Sequence, residues 1–341
     1  MLDMQDQDIK IGWHAIVAGD GNGYGMIANQ FYEGFSRCGA HMVGHDEFGW
    51  DVAVCVTPPR SLIVGREKFR EDLIFHTMFE ASPMPTYWPD LLNRVGLVWV
   101  PSDWVKELFI ANGVKTPIFK VGYAVDKNIY IPRKRVVQEN EPFTVLIWGD
   151  GLMSRKNVTE AIRTFLRAEL PNSRCLVKVS DGIAPQGMIR YNGVATNNVF
   201  VNSQSWTRFE LVEWLHGGDV GMYLSGGEGF GLQPMEMMST GLPVIIADNT
   251  GMREYANAGN ALLVDCSGQE LCQSMTQTFN QDFYTARPDY DMAVDLLRYA
   301  YNNRETVYDL GMKASAEVTR STWDDKALEA LYYIHEYAES L

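Results

Sequence analysis

The 341-residue sequence is short of three things. It has no long apolar run: Val95 to Val100 and Leu242 to Ala247 are among the longest, far below the roughly 20 residues that cross a bilayer as a helix. It has only five cysteines, Cys38, Cys55, Cys175, Cys266 and Cys272. An odd set without CxxC spacing suits neither a disulfide framework nor a zinc site, so reduced and mostly buried thiols are expected and no metal is. It is also short of positive charge. Against 29 Lys and Arg stand 43 Asp and Glu, a formal net charge of -14, which speaks against a surface built to coat nucleic acid. The deficit is uneven, -2 over Met1 to Arg135 and -12 over the remainder. The first residues, MLDMQDQDIKIGW, are acidic where a secretory leader would be basic, so a cytoplasmic protein is expected.

What is present is a soluble, globular composition, 46% hydrophobic, 12% aromatic and 21% charged. Short apolar runs alternate with amphipathic segments, the pattern of an α/β protein with parallel sheets covered by helices. A strand IKIGWHAIV leads into a glycine loop, AGDGNGYG, and a helix that stops at Gly39. Strands are expected at 52–56, 73–78, 95–100 and 118–121, with a helix from Asp103 to Gly113 opened by Ser102. Periodicity lapses over Asp126 to Pro142. This divides the chain into residues 1–128, a linker at 129–142 and residues 143–322, followed by a helix at about 323–341. The second part carries the apolar runs FTVLIWG, CLVKVS, VFVN, VGMYLS and PVIIAD.

The densest chemistry lies in SGGEGFGLQPMEMMSTGLPVIIAD. Pro234 suits a first helical turn and Gly241 a position just past the end, so LQPMEMMST is a short helix. The loop GGEGFG delivers backbone N–H groups to its start, an anion site by construction. Glu228 and Glu236 flank it. Two carboxylates repel a phosphate but accept hydrogen bonds from diols, which a nucleotide sugar carries on both sides of its diphosphate. The plainer alternative makes Glu228 a solvated loop residue and Glu236 a partner of the helix dipole. In FTVLIWGDGLMSRKNVTEAIRTFL, Asn157 and Glu160 have capping-box spacing, so a helix should start just after Arg155 and Lys156. Two cations there oppose the dipole unless an anion binds; otherwise they are solvated surface charges.

The quoted run resembles the E-x7-E signature of retaining GT-B glycosyltransferases, a family that includes glycogen synthases of the bacterial kind and phosphatidylinositol mannosyltransferases. The resemblance implies two Rossmann-like domains facing across a cleft, with the terminal helix returning to the first. It implies transfer of a sugar from a nucleoside diphosphate donor to a hydroxyl acceptor with retention of configuration, without metal or cofactor. Glu236 would hold ribose hydroxyls, Glu228 those of the transferred sugar, and the backbone of Phe230, Gly231 and Leu232 the sugar and phosphate. Lys156 would neutralise the departing diphosphate, with Arg155 beside it. The family usually has an arginine after the strand glycine, where this chain has Asp150 after Gly149.

Gly23 and Gly25, in a loop with Gly19 and Gly21, would let the donor phosphates approach; a surface turn is the alternative. His76 is either a catalytic histidine or a satisfied core residue, and Glu80 competes for a role near the acceptor. His41 and His45 have a metal-like interval but no third ligand. Arg60, Arg66, Lys68 and Arg70 form a cluster that would meet a sugar phosphate, a lipid head group or a modified DNA base such as a hydroxymethylpyrimidine. A solvated face is the alternative. Two other functions stay open: a nucleotide-sugar-binding module with little turnover, and a nicotinamide-dependent oxidoreductase, which the glycine register disfavours.

Overall fold

The structure is a computed structural model and describes residues 9–15, 23–44, 49–59, 72–137, 140–179, 190–191, 194–195 and 197–341. In chain order it begins with β1 (Lys10–Ala15), α1 (Gly23–Arg37), β2 (His41–Val43), β3 (Val52–Val56), β4 (Leu73–His76), α2 (Trp88–Leu92), β5 (Leu97–Val100), α3 (Asp103–Ala111) and β6 (Ile118–Lys120). There follow β7 (Phe143–Trp148), a 3-10 turn (Ser154–Lys156), α4 (Val158–Ala168), β8 (Ser173–Lys178), β9 (Arg190–Tyr191), β10 (Val194–Ala195), β11 (Val199–Asn202), α5 (Arg208–His216), β12 (Val220–Tyr223) and α6 (Leu232–Ser239). The remainder is β13 (Val244–Ala247), a 3-10 turn (Thr250–Glu254), β14 (Leu262–Val264), β15 (Cys266–Leu271), α7 (Gln273–Phe279), β16 (Tyr284–Pro288), α8 (Tyr290–Asn302), α9 (Arg304–Val318) and α10 (Trp323–Glu339).

These form two compact units. The first comprises Met1–Phe79, Pro83–Ala124 and Ser321–Leu341; the second comprises Glu80–Ser82 and Val125–Arg320. The α/β class and the doubled parallel sheet expected from the sequence are what is found.

In the first unit a six-stranded sheet runs in the order β2-β1-β3-β4-β5-β6 with every pair parallel. Strands buried on both faces explain why β3 and β5 read as unbroken apolar runs. α1 buries Ile27, Ala28, Phe31 and Phe35, and the chain leaves it through Gly39 at φ 83, a left-handed position that glycine adopts without strain. Ser102 caps α3 by accepting from the Val105 amide at 3.3 Å. The terminal helix α10 belongs to this unit and lies against α1, where a Cβ on Gly34 would meet Ala327 at 2.8 Å. Its Trp323 reaches Phe31 edge-on at 5.3 Å, and Phe31 in turn meets Trp99 at 4.4 Å.

The second unit holds another all-parallel sheet, β11-β8-β7-β12-β13-β14. Val145, Ile147, Val177 and Met222 form its core with Ala161, Ile162 and Phe165 of α4 and Val294 and Leu297 of α8, each large side chain contributing roughly 1.5–3 kcal/mol by leaving water. The strand sequence turns back on itself between β7 and β12, and at such a reversal the following loops diverge and leave a crevice at the carboxyl ends of the strands. β9 and β10 pair antiparallel, as do β15 and β16. Ser82 adds a short antiparallel bridge to Tyr284, with amide-to-carbonyl distances of 2.9 and 2.7 Å.

Two expectations need correction. Asn157 does precede α4, but no capping box forms: its backbone is left-handed at φ 50, and its side-chain amide donates to the Leu224 carbonyl at 3.0 Å and to Glu270 at 3.3 Å. Tertiary partners have outbid the local cap. All five cysteines are free, as expected, but only Cys175 and Cys272 are buried.

Candidate active site

The loops after β7 and β12, the two strands at the reversal, bring the sequence motifs together. Arg155 and Lys156 stand in the 3-10 turn after β7; Glu228 stands in the loop after β12, which ends where α6 begins. That loop needs its glycines, among them Gly231 and Gly227. Gly231 has φ 88, and a Cβ there would meet the Tyr255 hydroxyl at 2.9 Å; a Cβ on Gly227 would fall 2.0 Å from the Glu80 carbonyl oxygen. The turn after β13 braces the loop from below. Thr250 Oγ1 accepts from the Glu228 amide at 2.9 Å, and the Gly251 amide donates to the Glu228 carbonyl at 3.0 Å.

Glu228 is 5% exposed. Its Oε1 lies 2.7 Å from Lys156 Nζ, 2.9 Å from Arg155 Nη1, 2.9 Å from the Tyr223 hydroxyl and 2.7 Å from Ser225 Oγ. Among the described residues none donates to Oε2. Burial alone would raise the pKa of this carboxyl, but Arg155 and Lys156, with hydrogen bonds from Lys156 and Ser225, outweigh it and bring the value to about 2. Glu228 is therefore an ionised acceptor and no solvated loop residue.

The two cations are not surface charges either. Arg155 is 8% exposed and bridges two carboxylates, Glu228 through Nη1 and Glu80 through Nη2 at 3.6 Å. It also donates to the Gly227 carbonyl at 2.9 Å. Burial opposes its charge, but Glu228 and Glu80 together hold it more firmly protonated than a free arginine. Lys156 Nζ contacts the Tyr223 hydroxyl at 2.7 Å and Gln233 Oε1 at 3.2 Å besides Glu228. Burial lowers its pKa, with Glu228 pulling the other way. Glu80 is raised by burial and by the charge of Glu228, against the pull of Arg155.

Glu236 lies in α6 and is buried at 6% exposure. Burial raises its pKa to about 7, only partly countered by a hydrogen bond with Tyr130 and the charge of Arg208. Tyr255, whose hydroxyl donates to the Gly231 carbonyl at 2.6 Å, feels the charge of both Glu228 and Glu236. Phe230 is buried against Tyr255 at 5.5 Å between ring centres, Gly231 is buried, and Leu232 is partly exposed at the start of α6. No side chain caps this helix. Asp150, where the resemblance leads one to expect arginine, accepts from the Leu152 amide at 2.9 Å and so closes its own turn.

The remaining candidates lie in the first unit or outside the described residues. Gly23 and Gly25, expected in a loop, lie in the first turn of α1: a Cβ on Gly23 would meet no described atom within 4 Å, and Gly25 is buried one residue after Tyr24, whose hydroxyl meets Thr77 Oγ1 at 3.2 Å. His76 is fully buried. Nδ1 donates to the Trp99 carbonyl at 3.1 Å, since a carbonyl can only accept, and Nε2 faces the Tyr123 hydroxyl at 2.9 Å. Burial outweighs the hydrogen bond to Trp99 and drives its pKa down to about 3, so the ring is neutral and both nitrogens are engaged. That geometry favours the core reading of His76 over the catalytic one. Gly19, Gly21, His45, Arg60, Arg66, Lys68 and Arg70 lie outside the described residues.

Tyr223, Ser225, Gln233 and Tyr130 were not singled out from the sequence. Tyr223 and Ser225 had a signal, because they stand at the carboxyl end of β12 directly before the glycine loop. Gln233 and Tyr130 had none, since their partners are distant in sequence.

Comparison with known proteins comes to the same place. Residues 134–281, within the second unit, match the family described as Glycosyl transferases group 1. No curated protein matches the sequence significantly. Among solved structures, a sucrose-phosphate synthase from Thermosynechococcus elongatus superposes with a TM-score of 0.74 at 15% identity, covering 98% of this chain and 100% of its own. Anabaena HepE, in complex with UDP and glucose, gives 0.69 at 15% identity over 98% and 100%. The lipopolysaccharide outer core galactosyltransferase WaaB gives 0.66 at 13% over 95% and 99%. These likenesses show the fold, which is the two-domain GT-B architecture.

Proposed function

We propose that the protein is a glycosyltransferase that takes a sugar from a nucleoside diphosphate donor and passes it to a hydroxyl acceptor. The observation that carries this reading is the cluster of buried Glu228 and Arg155 with the partly buried Lys156 beside the uncapped start of α6, at the point where the sheet order reverses. Charges this deep cost several kcal/mol each to desolvate unless they serve one another or a ligand. In this reading the diphosphate lies against the first-turn amides of α6 with Lys156 beside it, a preorganised positive field for the charge that develops as it leaves. Glu228 Oε2 accepts from hydroxyls of the sugar, and Glu236 from those of the ribose. Departure and attack on the same face, with retention, complete the proposal and rest on the resemblance of the motif. The match to Glycosyl transferases group 1 and the complex of HepE with UDP and glucose support it.

A second reading, a nucleotide-sugar-binding module with little turnover, is favoured by one observation. Asp150 stands where a further cation is expected, and Arg155 is committed to two carboxylates, so of the two cations in the 3-10 turn Lys156 is the one left to meet the leaving group. Thermal unfolding across UDP, GDP, ADP and their sugars, followed by assay of donor hydrolysis, separates the readings. A ligand that binds only the folded state must raise its stability. Stabilisation by one nucleotide series with hydrolysis supports the transferase; stabilisation without hydrolysis supports the binding module; no stabilisation by any of them refutes both.

A further inference from the structure

The Lys156 ammonium carries three hydrogens and has three partners in the folded chain: Glu228 at 2.7 Å, the Tyr223 hydroxyl at 2.7 Å and Gln233 at 3.2 Å. An anion entering beside α6 finds this cation already neutralised. Glu228 is better provided. Without Lys156 its Oε1 would still receive Arg155, Tyr223 and Ser225 at 2.7 to 2.9 Å. The asymmetry makes Lys156 the member of the cluster that can change partner without leaving a buried carboxylate unpaired.

We propose that Glu228 acts as an internal anion that a diphosphate must displace from Lys156, so that the site holds intact nucleotide sugar in preference to the nucleoside diphosphate product. This rests on the diphosphate-site reading above and adds a consequence to it. Bare diphosphate gains Lys156 but must break the 2.7 Å ion pair to do so, and its own charge then stands close to an ionised Glu228. A nucleotide sugar breaks the same pair but also brings hydroxyls to Oε2, to which no described residue donates. Glu228 therefore penalises donor and product alike through Lys156 and compensates only the donor. The product leaves more readily after transfer, because the hydroxyls that offset the repulsion have gone with the sugar.

Calorimetric titration of wild type and Glu228→Gln with inorganic pyrophosphate, UDP and UDP-glucose tests this, or the GDP or ADP series if that is the one that binds. The glutamine keeps the shape and the hydroxyl acceptor but removes the charge. Pyrophosphate and the nucleoside diphosphate should bind Glu228→Gln about tenfold tighter, the effect of removing one close like charge. The ratio of donor to product affinity should fall by a similar factor. Equal or weaker binding of pyrophosphate and the nucleoside diphosphate by a folded variant overturns the inference and leaves the diphosphate-site reading intact if wild type binds them. Failure of wild type and variant alike to bind any of the three kinds of ligand overturns both. Glu228→Asp, whose shorter carboxylate draws back from Lys156, is the second variant if glutamine prevents folding. It should tighten pyrophosphate binding in the same direction, and unchanged or weaker binding overturns the inference equally.

Discussion

The two sheets of this protein have the same number of strands and the same parallel pairing, yet they treat buried polar groups in opposite ways. In the first unit the fully buried His76 is neutral, its pKa lowered to about 3, and its two nitrogens are used up by a carbonyl and a tyrosine. Phe31, Trp99 and Trp323 surround this region with ring contacts. In the second unit Arg155 and Glu228 are buried as ions, with the partly buried Lys156 and Glu80 beside them. Neutral hydrogen-bonded groups are what a stable core tolerates; an ionic cluster is rarely more stabilising than an apolar replacement of the same volume. On the proposed function, the second sheet's carboxyl edge is the place a ligand would occupy and the His76 region is scaffold.

Breaking the ionic side of this contrast should have the largest effect on stability. Arg155→Ala takes one of the two cations from Glu228 and removes the cation next to Glu80, so chemical denaturation should show a loss of about 3–5 kcal/mol. A loss under about 1 kcal/mol, the level of an exposed ion pair, would erase the contrast.

The two glutamates of α6 and its preceding loop sharpen the comparison through pH. The folded value of Glu236 is raised from about 4.5 to about 7, so the native state holds a proton that the unfolded chain has released. Stability of the ligand-free protein should therefore fall as pH rises from about 4.5 to about 7, by roughly 3 kcal/mol at most. Glu236→Gln should remove that slope. Glu228 has the opposite sign: its contribution is full above the ordinary carboxylate range and is lost only as pH falls towards about 2. Urea denaturation in 0.5-unit steps, about the resolution a 1-unit shift requires, reads both; a flat profile from 4.5 to 7 contradicts a Glu236 whose burial outweighs Tyr130 and Arg208.

The smallest effect belongs to the scaffold. His76→Phe removes the buried hydrogen bonds of the ring with the Trp99 carbonyl and the Tyr123 hydroxyl and should cost about 1–3 kcal/mol. Nucleotide-induced stabilisation should be unchanged. Loss of that stabilisation in a folded His76→Phe would return the histidine to the active site.

Much of this was legible in the sequence because local rules and tertiary structure agree there. β7 and β12 read as strands because runs such as FTVLIW are buried on both faces. Pro234 and Gly241 bracket α6 by backbone preference alone. Reading fails where a distant partner decides. Asn157 forgoes the expected cap for Leu224 and Glu270. Glu80 lies between β4 and β5 of the first sheet in the chain but belongs to the second unit, held by packing on Gly227 that no local pattern announces. β14 has only three residues, and β15 shifts register between Cys266 and Gln269, so neither offers the alternation that would reveal it.

The most direct test of the central claim is sugar transfer or donor hydrolysis by Lys156→Ala, measured beside its nucleotide-induced thermal shift. Lys156 contributes less to the fold than Arg155, because Arg155 also pairs with Glu80 and donates to the Gly227 carbonyl, and Glu228 keeps Arg155, Tyr223 and Ser225 when Lys156 is removed. The account predicts a folded protein whose turnover drops by about 10²–10³. Turnover within about threefold of wild type, less than 1 kcal/mol of transition-state stabilisation, would contradict it.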